Sequence, residues 1–77
     1  MPPLAEKVLL ACWRSSGQVV GAAGGTIHSL AQAVGADDAA TGAALQALQA
    51  AGFVVVDPFG VVAVTAEGDN AARGLMP

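Results

Sequence analysis

Positively charged side chains are scarce in this chain. Lys7, Arg14 and Arg73 are the only Lys or Arg residues among 77, and six carboxylates oppose them, which gives a formal net charge of −3. Proteins that bind duplex DNA strongly commonly neutralise roughly 6 to 10 phosphates with such side chains. The charge balance therefore argues against strong binding to nucleic acid or to anionic lipid.

Residues that carry covalent or metal chemistry are equally few. The chain has one cysteine, Cys12, and one histidine, His28, so a disulfide within the chain is excluded and neither residue has a partner at the spacing of a zinc site or a Cys–His pair. Asp37 and Asp38 are adjacent and diverge at a helix start, which is unsuited to an acid–base pair. We expect no enzymatic activity, no metal and no cofactor.

Long apolar runs and targeting signals are also missing. No run approaches the roughly 20 residues of a membrane span, and the start of the chain, MPPLAEKVLLACW, has neither the basic segment nor the long apolar core of a signal peptide. These absences predict a cytoplasmic protein. We expect one domain over residues 1–77, with residues 1–3 and 69–77 less ordered or in a short terminal turn.

Hydrophobic residues are plentiful, at 55% of the chain, and their spacing predicts three helices, over residues 4–15, 29–34 and 38–51. Asp37 is a suitable N-cap for the third helix, and Gly52 follows its end. Between the first two helices, residues 17–25 are glycine-rich and predict a flexible connector, after which Thr26 and Ile27 predict a brief strand.

The segment FVVVDPFGVVAVT, residues 53–65, predicts a β-hairpin. Two runs of β-branched residues flank Asp57-Pro58-Phe59-Gly60, which has the composition of a turn. Alternate side chains of a strand point to opposite faces, and a hairpin with one solvated face should alternate apolar with polar residues. Here the second face carries only Val55, Val61 and Ala63, so the sequence raises the question of what that face contacts.

The order of these elements, a helix, a short strand, two helices and a hairpin, resembles the winged helix-turn-helix domains of MarR-like and related bacterial transcription regulators. The resemblance implies a small α+β fold with three helices and an antiparallel wing of two or three strands. It covers about half of the chain, from Leu30 to Gly68. The matching motifs are Leu30-Ala31…Val34-Gly35, Leu45…Leu48…Gly52-Phe53-Val54 and Val64-Thr65…Gly68.

The resemblance implies that the third helix and the wing contact DNA, and Thr41, Gln46 and Gln49 are the residues that would do so. Relatives usually carry Arg or Lys around the wing, whereas this chain has Phe59, Val61 and Ala63 there. A dimer would hold six cations against twelve carboxylates. A DNA-binding transcriptional regulator is the alternative function. It ranks second because it rests on analogy between folds.

Our main hypothesis is a winged-helix protein-interaction module whose partner is another protein or a second copy of the chain, in a regulatory complex or a homodimer. Peptide recognition by strand addition at the wing edge is a third possibility. Alternatives remain open for single residues, since Phe59 could fold back onto the helices and the spacing of Trp13 also fits the core. The apolar substitutions could also be drift in an alanine- and valine-rich composition. The predicted partner-binding residues are Phe59, Val55, Val61, Ala63, Ala43, Ala47 and Trp13.

Overall fold

The computed structural model describes residues 1–76 and has the predicted α+β architecture of a winged helix-turn-helix domain. Within these residues, four helices and one antiparallel three-stranded sheet form a body of 26 × 25 × 21 Å. The elements in chain order are α1 (Pro3–Ser15), β1 (Ala23–Thr26), α2 (Ile27–Val34), α3 (Asp38–Ala50), β2 (Val54–Val56), β3 (Val61–Val64) and α4 (Ala66–Leu75).

Capping residues set the start of the helix-turn-helix pair. The Asp37 carboxylate accepts the N–H of Ala40 at 2.7 Å, which confirms the predicted cap of α3. The helix α2 starts two residues before its predicted position, because Thr26 and Ser29 form a reciprocal capping box. Gly35 ends α2 with φ 71°, a left-handed conformation that costs glycine little.

The strands lie in the order β1-β3-β2, and both pairings are antiparallel. In the hairpin, Val55 lies opposite Ala63. The first strand differs from the prediction, which placed a flexible connector before a brief strand at Thr26 and Ile27. The segment from Ala23 is extended because it pairs with β3, and Ala23 lies opposite Ala63.

The core lies between α1, α3 and the inner face of the sheet. Val62 and Val64 of β3 are 0% and 1% exposed, as strand alternation requires of a face that packs on helices. A side chain at Gly24 would collide with Cys12, so glycine there lets β1 approach α1 closely. The buried hydrophobic residues are Ala5, Val8, Leu9, Cys12, Trp13, Leu30, Ala31, Ala44, Leu45, Leu48, Val54, Val62, Val64 and Ala72.

The terminal segment contains a longer helix than the short turn that the sequence predicted for residues 69–77, of which residue 77 lies outside the described part of the chain. In place of a short turn, residues 66–75 form the ten-residue helix α4. Thr65 caps this helix by accepting the N–H of Gly68 at 3.0 Å, and Gly68 itself is buried against the carbonyl of Phe53. Helix α4 therefore closes the domain beside the hairpin. Among residues 1–76, no helix is both long enough and apolar enough to cross a membrane.

Candidate interaction surface

The outer face of the sheet is open to solvent. Val55 is 53% exposed, and Val61 and Ala63 are half-buried beside it. Ala23 lies opposite Ala63 and extends this face onto β1. We call these four residues the open sheet face; they line a shallow depression of about 320 Å³. The second face of the hairpin is therefore apolar and faces outward.

The turn of the hairpin holds Phe59 in solvent. The Asp57 carboxylate accepts the backbone N–H groups of Phe59 and Val61 at 2.8 and 2.9 Å, and Gly60 takes φ 83°. This Asx-type turn fixes the tip through backbone hydrogen bonds and not through its aromatic side chain. Phe59 is 89% exposed, so the alternative in which it folds back onto the helices is wrong.

A wide groove of about 530 Å³ separates the wing tip from the starts of α2 and α3. Phe59 lines one side, and His28, Asp38 and Ala39 line the other. His28 Nδ1 lies 3.2 Å from the Asp38 carboxylate, and Gln32 Nε2 lies 3.2 Å from His28 Nε2. The contact between His28 and Asp38 joins α2 to α3, whereas the contact between Gln32 and His28 lies within α2. Asp38 therefore places a carboxylate on the α3 side of the groove.

The exposed side of α3 is polar but carries no cation. Gln46 and Gln49 are exposed, as the DNA-binding alternative requires. Thr41 is 0% exposed, so its place in the predicted DNA-contacting set is wrong. Its hydroxyl has no hydrogen-bond partner among residues 1–76. Gly42 borders open space, since no atom beyond its chain neighbours and the backbone of its own helix lies within 4 Å of the position that a Cβ would occupy.

The alanines of α3 form a surface apart from the open sheet face. Ala43 and Ala47 are exposed and line a groove of about 330 Å³ together with Pro2 and Leu4 from the start of α1. The depression on the sheet has different lining residues. The structure thus separates residues that the sequence hypothesis grouped into one partner-binding surface.

Trp13 is not part of any exposed surface, and its prediction as a partner-binding residue is wrong. It is 4% exposed, and its indole N–H donates to the Asp69 carboxylate at 2.8 Å. Arg73 Nε donates to the other carboxylate oxygen at 2.9 Å, and its guanidinium lies 5.6 Å from the indole centroid. Trp13 therefore belongs to the joint between α1 and α4.

The same joint perturbs the titration of Asp69. Hydrogen bonds from Arg73 and then from Trp13 lower the pKa of the Asp69 carboxyl, because both stabilise its ionised form. The Asp69 hydrogen bond in turn raises the pKa of Arg73. Arg73 is thus engaged within the domain.

The remaining cations lie away from the helix-turn-helix and the wing. Lys7 and Arg14 are both on α1 and border a groove between α1 and α2, whose floor includes Leu10 and Val34. The chain has no other Lys or Arg apart from Arg73 on α4. Helix α3, the strands β2 and β3 and the turn between them hold no positive side chain that could contact a phosphate.

Catalytic and metal-binding arrangements are not apparent in the described part of the chain. Within residues 1–76, no three His, Cys, Asp or Glu side chains come together around a possible metal position. Cys12 is buried, with its sulfur 3.9 Å from the carbonyl oxygen of Val62. Burial raises the pKa of the Cys12 thiol to about 11, so the thiol stays protonated and unreactive near neutral pH.

Sequence reasoning missed two parts of this surface. Ala23 lies in the predicted connector, because a glycine-rich segment has no strand pattern and its pairing with β3 is long-range. The contact between His28 and Asp38 was missed because the two residues belong to different helices, although the three-residue turn that joins α2 to α3 is a usable signal for such proximity.

A solved structure resembles the chain over its whole length. It is the crystal structure of a candidate DNA-binding protein from Ralstonia eutropha JMP134, with 30% sequence identity and a TM-score of 0.75. The similarity covers 100% of this chain and 99% of that chain. No protein-family model matches the sequence, and no curated protein sequence matches it.

Proposed function

This chain belongs to the same family as the candidate DNA-binding protein from Ralstonia eutropha, and we propose that it is a winged-helix module that contacts another polypeptide through its wing. The contact residues are Phe59 and the open sheet face. We also propose that the chain binds its partner without catalysing a reaction. It would do so in the cytoplasm, as part of a regulatory complex.

The observation that supports this proposal most strongly is the exposure of Phe59. An aromatic side chain that is 89% exposed at a rigid turn contributes nothing to the domain's own core. Aromatic residues are enriched among the residues that dominate binding energy in protein interfaces. Val55 and Val61 lie on the adjoining strands, so a partner that received Phe59 would also find apolar surface beside it.

The expected affinity is modest. Full burial of an exposed Phe or Val side chain is worth about 1.5 to 3 kcal/mol, and since Val55 and Val61 are already partly buried, the three residues together provide at most about 9 kcal/mol before the cost of association. That limit corresponds to a micromolar dissociation constant at best. Ala43 and Ala47 form a separate apolar surface, and their small side chains would add little to a contact at the wing.

A random-peptide display library tests this proposal without a known partner. We expect wild-type protein to enrich peptides rich in apolar residues, and we expect a Phe59→Asp/Val61→Lys double variant to lose them. Gln49→Lys is the matched control, because it adds a charge on α3 away from the wing and should keep the peptides. Peptides that bind the double variant as well as the wild type would contradict a wing contact.

DNA binding is the second candidate, and the comparison supports it better than it supports protein contact. The Ralstonia protein is described as a candidate DNA-binding protein and matches this chain along its length. A regulator of the MarR-like type would use the exposed amides of Gln46 and Gln49, which suit contact with adenine edges in the major groove. The scarcity of cations opposes this candidate, because phosphate neutralisation supplies most non-specific affinity.

A duplex titration at low salt tests the second candidate. DNA binding by α3 predicts that the wild type binds and that Gln46→Ala and Gln49→Ala each weaken binding by about 1 to 3 kcal/mol. The observed affinity should also fall as salt rises. Lack of binding at low salt, in protein that retains its helical circular dichroism, would exclude this candidate.

A further inference from the structure

The groove between α1 and α2 collects positive charge in an otherwise acidic chain. Lys7 and Arg14 border it, and both side chains are exposed. Within residues 1–76 neither of them forms an ion pair with a carboxylate, whereas Arg73 is paired with Asp69. Arg14 Nη2 donates to Met76 Sδ at 3.5 Å, and a thioether is a weak, uncharged acceptor that leaves the positive charge uncompensated. The residues that line this α1–α2 groove are Lys7, Leu10, Ala11, Arg14, Ala33 and Val34.

The carboxylates of the chain lie elsewhere. Among the described residues, none of them lines the α1–α2 groove. Glu6 is the only acidic residue of α1, and the others follow from position 37 onward. In a chain of formal net charge −3, the groove is therefore a positive surface, and it favours a ligand that carries carboxylates.

The floor of the α1–α2 groove is apolar. Leu10 and Ala11 of α1 and Val34 of α2 are half-buried, so each keeps part of its surface open to this groove of about 260 Å³. A nucleic-acid backbone would leave that apolar surface uncovered, and two cations fall well short of the roughly 6 to 10 phosphates that strong duplex binders neutralise. The chemistry of the groove suits a polypeptide with both acidic and apolar side chains.

The spacing of the two cations specifies the shape of that polypeptide. Lys7 and Arg14 are seven residues apart on α1, so they lie on one face of the helix, about 10 Å apart along its axis, with Leu10 between them. A second helix repeats this spacing when its carboxylates are seven residues apart and apolar residues lie between them on the same face. We propose that the α1–α2 groove binds an acidic amphipathic helix of another protein. One carboxylate of that helix faces each cation, and its apolar side chains cover Leu10 and Val34.

A second copy of this chain does not supply such a helix, because no two of its carboxylates are seven residues apart. The occupant is therefore a different protein. None of the groove residues belongs to the open sheet face, so the groove is a second contact surface that goes beyond the proposed function.

A labelled synthetic peptide tests the proposal by fluorescence anisotropy. The probe is an alanine-based helix of about 20 residues, with two glutamates seven residues apart and two leucines between them. We expect wild-type protein to bind it at least about tenfold more tightly than the same peptide with lysines in place of the glutamates, since like charges then face each other. Replacement of the leucines by serines should also weaken binding. Equal binding of the glutamate and lysine peptides would overturn the proposal, and so would equally effective competition by short duplex DNA.

A charge-reversed variant supplies the second test. Lys7→Glu/Arg14→Glu should bind the lysine peptide in preference to the glutamate peptide, and a misfolded protein would not show this exchange of preference. Trp13 fluorescence checks the fold independently. The matched control is Phe59→Asp/Val61→Lys, which changes charged groups only on the wing and should keep the wild-type preference. An unchanged preference in the α1 variant would overturn the proposal.

The groove and the wing can fail separately. Wild type that ignores the glutamate peptide but selects apolar peptides through Phe59 and Val61 rejects the groove and keeps the proposed function. Wild type that binds the glutamate peptide but selects no apolar peptide does the reverse.

Discussion

The hydroxyl groups of two threonines in this domain differ in their hydrogen bonding. The hydroxyl of Thr41 is buried in α3 without a hydrogen-bond partner in the described residues. The hydroxyl of Thr65 donates to the carbonyl of Gly52 at 2.6 Å and accepts the N–H of Gly68 at 3.0 Å. Since a buried polar group without a partner is costly and a capping hydroxyl is stabilising, valine should have opposite effects at the two positions.

We predict that Thr41→Val raises the free energy of unfolding by about 1 kcal/mol and that Thr65→Val lowers it by about 1 to 2 kcal/mol. Urea denaturation followed by Trp13 fluorescence measures both. A loss of stability in Thr41→Val would show that its hydroxyl has a partner, such as an ordered water.

A second residue-scale prediction compares two helical glycines. Gly42 has open space where a Cβ would lie, whereas a Cβ at Gly68 would collide with the Phe53 carbonyl and crowd Val64. We expect Gly42→Ala to stabilise the domain by about 1 kcal/mol, the difference in helix propensity. Gly68→Ala should destabilise it by about 1 to 3 kcal/mol through overpacking. Thermal denaturation monitored by circular dichroism checks both, and equal effects at the two sites would contradict the placement of α4.

At the scale of the element, the joint between α1 and α4 depends on an ionised Asp69. The folded pKa of Asp69 lies below its unfolded value, so the unfolded chain binds a proton more readily. The stability contributed by the joint is therefore fully present above the ordinary Asp pKa of about 4 and is lost as pH falls through the folded value.

Asp69→Asn should accordingly be less stable than wild type at neutral pH, and the difference should shrink as pH falls below about 4. Urea denaturation across this pH range measures the difference. Arg73→Gln is the companion variant, because it removes the largest cause of the lowered pKa and should weaken the same pH dependence. A difference between wild type and Asp69→Asn that stays constant with pH would show that the carboxylate does not carry the effect.

The elements that the sequence predicted well are those that depend on local signals. The cap at Asp37, the glycine at position 52 and the turn from Asp57 to Gly60 all lie where the residues indicate. The elements that it missed depend on distant contacts. The strand β1 exists because β3 pairs with it, and α4 is held by the contacts of Asp69 with Trp13 and of Gly68 with Phe53. Its own glycines and polar residues predict little helix.

At the scale of the whole molecule, the fold resembles that of a candidate DNA-binding protein, whereas the distribution of charge does not favour DNA binding. The chain shares its fold with the Ralstonia relative, and that relative is described as a candidate DNA-binding protein. The cations, however, lie on α1 and α4, and the surface made by α3 and the wing carries apolar, acidic and uncharged polar side chains. The sequence already revealed this charge distribution, since it depends only on which element holds each residue. It did not reveal that the apolar residues divide between the sheet and the groove beside α1, because that division depends on how the helices pack.

Our proposal that the wing contacts a polypeptide depends on the lack of positive side chains on α3 and the wing. The most direct measurement is a fluorescence-anisotropy titration of labelled duplex DNA at low salt, on wild type beside a Gln46→Arg/Gln49→Arg/Val61→Arg variant. We predict that the wild type does not bind and that the variant gains binding that weakens as salt rises, because it restores cations to α3 and the wing. Tight binding by the wild type, falling steeply with salt, would contradict the claim.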